Sequence, residues 1–478
     1  MKHTSTAGSA TVSAAWQGER PAARTASVTI ASILFSPLVL VRMIDYCQGM
    51  EATAGLDAAA LATVVDEVAG LACGDPVELI DQLRQLERLK NAAAAAQARL
   101  TVELRQVREA EARAAGRNVK RVPASIAGEV GLARHESPHR AATLLGLATV
   151  LASEMPHTMA VFNAGEVSEW HTTVLARETA CLSRAHRAVV DAELGPRLAE
   201  LSTRQLAAEA RKLAYELDPH SVVARIGQAV ADRNVTIRPA PDCMTRVSAL
   251  LPVAQGVAAY AALTAAADTA RVAGDERSKK QVMADTLVAR VTGEEEAGEV
   301  DVEIQLVITD EALLGDSNTP ARMNHHGPIP ASIARGLAAD AIGNNRAWIR
   351  RLYVRPDNGQ LVAMESARRH FPTTMKTFIK TRDEVCRTPW CGAPIRHIDH
   401  ITPVHAGGTT SLANGQGLCE RCNQLKEHPG WRHTAQPDGT SMIRTPTGHQ
   451  HHSRAPDLPR EPAFLPFLVD LRFSRPAA

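Results

Sequence analysis

Four cysteines constrain this chain more than any other feature. Cys386-x4-Cys391 and Cys419-x2-Cys422 form two tight loops about thirty residues apart. Soft thiolates on two such loops suit a tetrahedral Zn²⁺, and a site filled by four cysteines leaves no position for substrate. The implied ion is structural. Zinc of this kind contributes folding free energy of order 10 kcal/mol in small modules, and here it would pin a segment too small and polar to hold itself together. Between the loops the donors turn hard: Asp399 offers a carboxylate and Asn423 an amide oxygen. Oxygen ligands with little else nearby suit Mg²⁺ or Mn²⁺, which keep several waters and borrow substrate phosphate oxygens. His400 follows Asp399 directly. Neighbours in an extended segment face opposite ways, so its imidazole need not ligate and can serve as a base near neutrality.

At 478 residues the chain is too long for one core, and two to four domains are expected. Its 22 % charged residues and abundant alanine fit a helical globular protein. A formal net charge of +1 gives no global basic field. Residues 351–433 nevertheless hold twelve Lys/Arg against seven acids, a local net of +5. Such a modest excess beside candidate donors for a phosphate-binding cation is compatible with nucleic acid, with an ordinary solvated face as the plain alternative. Eight cysteines in a chain this long do not make a disulfide scaffold, and a clustered set suits a reducing cytoplasm. Cys47, Cys73, Cys181 and Cys243 are scattered and read as inert or buried. Val28 to Val41 is an apolar run broken by Pro37, too short to span a bilayer comfortably and without a clean cleavage site after it. With Met43 and Met50 following, residues 1–49 read as a disordered extension or the result of an upstream start; an export or anchor segment is the alternative.

Asp75-Pro76-Val77-Glu78 has the signature of a helix start, and apolar residues then recur at three- and four-residue spacing until Gly116. That predicts one helix of roughly forty residues, which must lie against partners. The pattern stays helical from Pro123 to about Thr292, with candidates at Ser125–Arg134, Pro138–Ser153, Val167–Leu182, Arg184–Leu194, Thr203–Leu217, Ser221–Asp232, Ala254–Val272 and Ser278–Thr292. Glu299–Thr309 alternates like a strand, Pro330–Ile342 returns to helix, and Trp348–Val354 with Gln360–Met364 reads as a hairpin. Ser125 to Leu147 has the cadence of a helix-turn-helix. Only His139, Arg140 and Thr143 would face a groove, so a packed helical hairpin is favoured over DNA reading.

The motif Asp399-His400-Ile401-x-Pro403, Gly407-Gly408-Thr409, Asn414 and Leu418-Cys419-x2-Cys422-Asn423-x2-Lys426 resembles the HNH endonucleases with a ββα-metal finger, in the variant whose last ligand is Asn. The resemblance implies that Asp399 and Asn423 hold the catalytic divalent ion. It implies that His400 is the general base and that Asn414 braces the loop and fixes that base. Cys386, Cys391, Cys419 and Cys422 would hold the zinc. DNA would be the substrate, cut by hydrolysis to 5′-phosphate and 3′-hydroxyl ends. Lys426 and Arg421 are candidates to touch phosphates, with a solvated helix face as the even alternative. Gly415 and Gly417, where the family has bulkier residues, are expected to loosen the second strand; His428 is a less favoured ligand than Asn423.

Upstream, Asp275-Glu276-Arg277, Gln281, Ala284-Asp285, Gly327-Pro328-Ile329 and Ala334-Arg335 resemble the uncharacterised helical domain fused to HNH modules in many high-GC Gram-positive bacteria. Several such proteins are associated with repetitive elements. Arg382-Asp383-x2-Cys386-Arg387-x-Pro389 is the usual lead-in to the first cysteine loop in those fusions.

The expected fold is mainly α: a helical body with a long helical hairpin over 50–295, a small α+β connecting region over 296–370, a zinc-stabilised ββα finger over 371–433, and a poorly ordered tail over 434–478. The expected activity is a metal-dependent HNH endonuclease with DNA as partner and no membrane, and with homodimerisation through the helical body left open. The rival is a zinc knuckle from a mobile element that binds nucleic acid without turnover.

Overall fold

A computed structural model describes residues 57–71, 74–293, 305–324, 326–343, 347–353, 365–366, 370–436, 438–458 and 467–473. The run Val28–Val41, and Met43 and Met50, lie outside them. The chain divides into two units, residues 1–71 and 72–478. The first contributes helix α1 (Ala58–Ala69), N-capped by the Asp57 carboxylate, which accepts from Ala60 N at 2.8 Å.

In the second unit the long helix forms as the sequence predicts. Asp75 accepts from Glu78 N at 3.1 Å and Pro76 opens α2 (Pro76–Ala114). Midway along α2, Asn91, Ala92, Ala95 and Ala98 are buried, and their small size lets other helices approach. Gly165, at φ +74°, packs so tightly on the Arg88 carbonyl that any Cβ would collide with it. Then come α3 (Val122–Arg134), α4 (Pro138–Glu154), α5 (Pro156–Asn163), α6 (Glu169–Glu178), α7 (Arg184–Leu194) and α8 (Thr203–Leu217). Leu151, Met155, Phe162, Leu175, Leu194, Leu198 and Leu206, all fully buried, knit α4 to α8 into the main core, and Ile126, Ala127 and Val130 of α3 pack with Leu145 in a smaller one. Asp191, also fully buried, caps α5 by accepting from His157 N and Thr158 N at 2.8 and 2.9 Å. Among the described residues no single helix is long and apolar enough to cross a membrane. The α4–α5 pair passes that test only together, and it is bent by 112°.

Beyond α9 (Pro219–Ala231) the expectation of unbroken helix fails. Asn234–Ala240 and Met244–Leu250 are strands β1 and β2, paired antiparallel from Asn234 with Leu250 to Ala240 with Met244. Val235, Ile237 and Val247 favour strand, and Pro239 and Pro241 forbid a helix across the turn. Helices α10 (Val253–Val272) and α11 (Lys279–Thr292) follow, the second opened by a capping box of Ser278 and Gln281.

The connecting region is a five-stranded antiparallel sheet in the order β5-β4-β3-β14-β6. It comprises β3 (Gln305–Thr309), then after helix α12 (Asp310–Leu314) β4 (Ala321–Met323) and β5 (Gly327–Ile329), and after α13 (Ala331–Gly343) β6 (Ala347–Tyr353). Its last member, β14 (Phe467–Phe473), pairs with β3 and β6. Of the expected hairpin only the first arm, β6, is described, and the residues from Val354 to Met364 lie outside. Residues 299–304 of the expected strand also lie outside.

The remaining elements build the cysteine segment and the chain beyond it. They are β7 (Glu365–Ser366), α14 (Thr373–Asp383), β8 (His397–His400), β9 (Thr410–Ser411), β10 (Gly415–Leu418), α15 (Glu420–Lys426), β11 (Arg432–Ala435), β12 (Ser441–Arg444) and β13 (Gln450–Ser453). The last three form an antiparallel meander. The poorly ordered tail expected from 434 is corrected for its described residues: Gly439 and the stretch from Pro446 to Gly448 lie in turns between short strands, and β14 joins a sheet begun about 160 residues earlier.

Candidate zinc site and active site

β8 and β10 pair antiparallel, His400 opposite Gly415 and Asp399 opposite Gln416, and α15 follows at once. This is a ββα unit. Its glycines do not loosen it, contrary to expectation. A Cβ at Gly415 would overlap Ile379 and Phe371, and one at Gly417 would overlap Ile395, so the missing side chains let neighbours seal the strand's backbone.

All four cysteine sulfurs, of Cys386, Cys391, Cys419 and Cys422, lie within 4.8 Å of one another. Cys391 Sγ stands 3.8 Å from Cys419 Sγ and 3.7 Å from Cys422 Sγ. Sulfurs at about 2.3 Å from a tetrahedral zinc are about 3.8 Å apart, so the donor set fits that ion. Cys419 also N-caps α15, accepting from Cys422 N at 3.4 Å. Hydrogen bonds from Cys386, Cys391 and Cys422 push the Cys419 thiol far down, whereas those with Cys386, Cys391 and Cys419 hold Cys422 up. A divalent cation among them favours the thiolate in all four.

Fully buried Asp383 ties this knot to the finger. It accepts from Arg382 Nε at 2.7 Å, Arg387 Nη1 at 3.1 Å and Gly417 N at 2.7 Å. Arg382 in turn donates to the carbonyls of Leu412 and Gly415, both at 2.7 Å, at either end of the segment carrying Asn414. The sequence flagged this triplet as a lead-in and missed its role as the finger's anchor.

His400 is buried. Its Nε2 is 2.9 Å from Thr410 Oγ1 and its ring lies 4.4 Å from that of Phe371. Asn414 does not touch the imidazole in this network. Its Oδ1 accepts from Thr402 N at 2.8 Å, and its Nδ2 donates to Thr402 O at 2.9 Å and Thr409 O at 2.8 Å. It braces the loop 402–409 at both ends and so places Thr410, which holds His400. Thr410 and Phe371 escaped the sequence reading because nothing in their spacing marks them.

Lys426 and Arg421, candidates for phosphate contact or for a solvated helix face, both make contacts within the protein. Lys426, 4 % exposed in its side chain, turns inward and donates to the Asp399 carboxylate and to His400 O. Arg421 donates to the carbonyl of Pro138 in the helical body at 2.6 Å. Asn423 is half-buried on α15. Asp399 is paired through Oδ2 with Lys426, and Asn423 stands on the helix that follows; by donor type, a carboxylate and an amide oxygen are what a hard divalent ion takes. His428 lies past the end of α15, its pKa lowered by burial and by Arg121. His433, the inward residue of β11, went unnoticed in the sequence; burial pushes it down to about 3, Lys426 adding to the effect and Asp399 opposing it.

The finger docks on α3. Gly128 makes room for Leu425 and Trp431, which join Leu132 and Ile443 in a small core. Trp431 Nε1 donates to Ser125 Oγ at 2.9 Å, and the His135 ring stacks on Trp390 at 4.2 Å. The helix-turn-helix cadence of α3 and α4 thus belongs to a packed hairpin that carries the finger.

The chain matches the model of a domain of unknown function, DUF222, over residues 80–383, and the model of the HNH endonucleases over residues 385–428. Neither the curated proteins nor the solved structures give a match.

Proposed function

This chain belongs to the DUF222 family and carries an HNH endonuclease domain, and from that premise we propose that the finger hydrolyses DNA phosphodiester bonds with His400 as general base. The observation that carries the reading is the placement of Asp399 and His400 on one strand of a ββα unit whose helix bears Asn423, clamped by four cysteines. Thr410 and Phe371 fix the imidazole's orientation. The imidazole so held takes a proton from the attacking water. Asp399 and Asn423 would hold Mg²⁺ or Mn²⁺. When bound, that ion supplies Lewis-acid polarisation of the phosphate and neutralises charge on the leaving 3′ oxygen. Lys426 adds a fixed positive charge beside the same carboxylate.

The test is cleavage of plasmid DNA by the purified chain with Mg²⁺ or Mn²⁺. His400→Ala should lower the rate by about 10²–10⁴-fold and leave zinc content unchanged. A variant that cuts as fast as the parent overturns the assignment. A parent that binds DNA and never cuts it favours the zinc-knuckle binding reading.

A further inference from the structure

Residues 219–293 hold sixteen of the thirty-one large apolar side chains that stand exposed among the described residues, at 36–92 %. They fall in about a fifth of the described chain. Helix α9 buries none of its residues, α10 buries Ala267 and α11 buries Val282. Strands β1 and β2 are exposed on both faces apart from Ala240.

A segment built like this needs cover. A lone two-stranded hairpin is marginal in water, and a helix apolar all round belongs in a core. Helix α10 is such a helix: no charged residue occurs from Val253 to Ala267. Cover that the segment needs for its own stability must accompany every chain, and a second copy of the chain always does. The amount fits too. Sixteen such side chains present on the order of 1,000 Å² of apolar surface per copy, above the ~800 Å² per partner of a standard interface. Along α10, Gly256, Ala261, Thr264, Ala265 and Asp268 line a shallow groove whose wall, Tyr260, is 67 % exposed and stands as a knob. A two-fold axis sets knob into groove twice at no cost in matching surfaces.

We propose that residues 219–293 are the interface through which two copies of this chain pair about a two-fold axis, α10 against the same helix of the second copy. The pairing stands apart from the nuclease reading, and its measurement needs no cleavage.

The full-length chain at tens of micromolar should show twice its 51.2 kDa by light scattering. The double variant V257E/Y260E should show a single chain's mass while keeping its zinc, and Leu100→Glu, at an exposed position of α2, should leave the pair intact. A parent of single mass, or a V257E/Y260E variant that stays paired, overturns the proposal. Should that variant fail to fold, mixed ¹⁴N and ¹⁵N copies of the parent are cross-linked through lysines and acids. Links between isotopes should fall within 219–293. Links between copies confined to other segments overturn the proposal, and so do links that tie 219–293 to residues 1–56 of the same copy.

Discussion

Lys426 shows how far one side chain's direction changes a reading. On a helix face open to solvent it would be a phosphate contact. Here the ammonium is buried between Asp399 and the His400 carbonyl, tying α15 to β8. Lys426→Ala should therefore lower unfolding stability by about 3 kcal/mol, the scale for breaking a buried pair. The loss should persist at about 0.5 M salt, because buried pairs escape screening. A loss that disappears in salt, by chemical denaturation, would return the ammonium to the surface. His433 gives a pH dependence. Its folded pKa, about 3, lies below the ordinary 6.5. The unfolded state therefore binds the proton first, and this group's contribution is complete above about pH 6.5 and is lost as pH falls toward 3. Between pH 6.5 and 5.5 the wild type should lose about 1 kcal/mol that His433→Gln does not lose, read as the difference in their melting curves. Residue types were legible in the sequence. Which way Lys426, Arg421 and His433 point was not, because each faces an element brought in from elsewhere in the chain.

At the scale of elements the finger rests on backbone packed without side chains. Gly408 lies against the Thr402 carbonyl and the Asn414 amide, and a Cβ there would overlap both. Gly408→Ala should displace loop 402–409 from the Asn414 brace and slow cleavage, with the four-cysteine zinc retained. Cleavage at the parental rate would show that the brace does not matter to the base. The start of α2 and the limits of α7 and α8 were readable because caps and apolar spacing are local. The β1–β2 hairpin was not, since a pair of strands wet on both faces lacks the in–out alternation that betrays a half-buried sheet.

For the whole molecule, the body is a mount for the finger. Gly128→Leu would drive a side chain into Leu425 and Trp431, an overpacking worth about 1–3 kcal/mol. The finger should then leave α3, seen as faster proteolysis after residue 430 and greater exposure of Trp431, while zinc stays bound. Unchanged protection would mean that the stack of His135 on Trp390 and the Arg421 bond suffice. By itself the sequence determined the four-cysteine donor set that fits zinc and the ββα order, because their spacing lies within some forty residues and ligand chemistry limits what such spacing can hold. Only the tertiary structure decided that Lys426 serves Asp399, that Asp383 anchors the knot, that α3 carries the finger and that the last strand closes a distant sheet. Those contacts join residues far apart in the chain, where burial and packing rather than local pattern choose the partner.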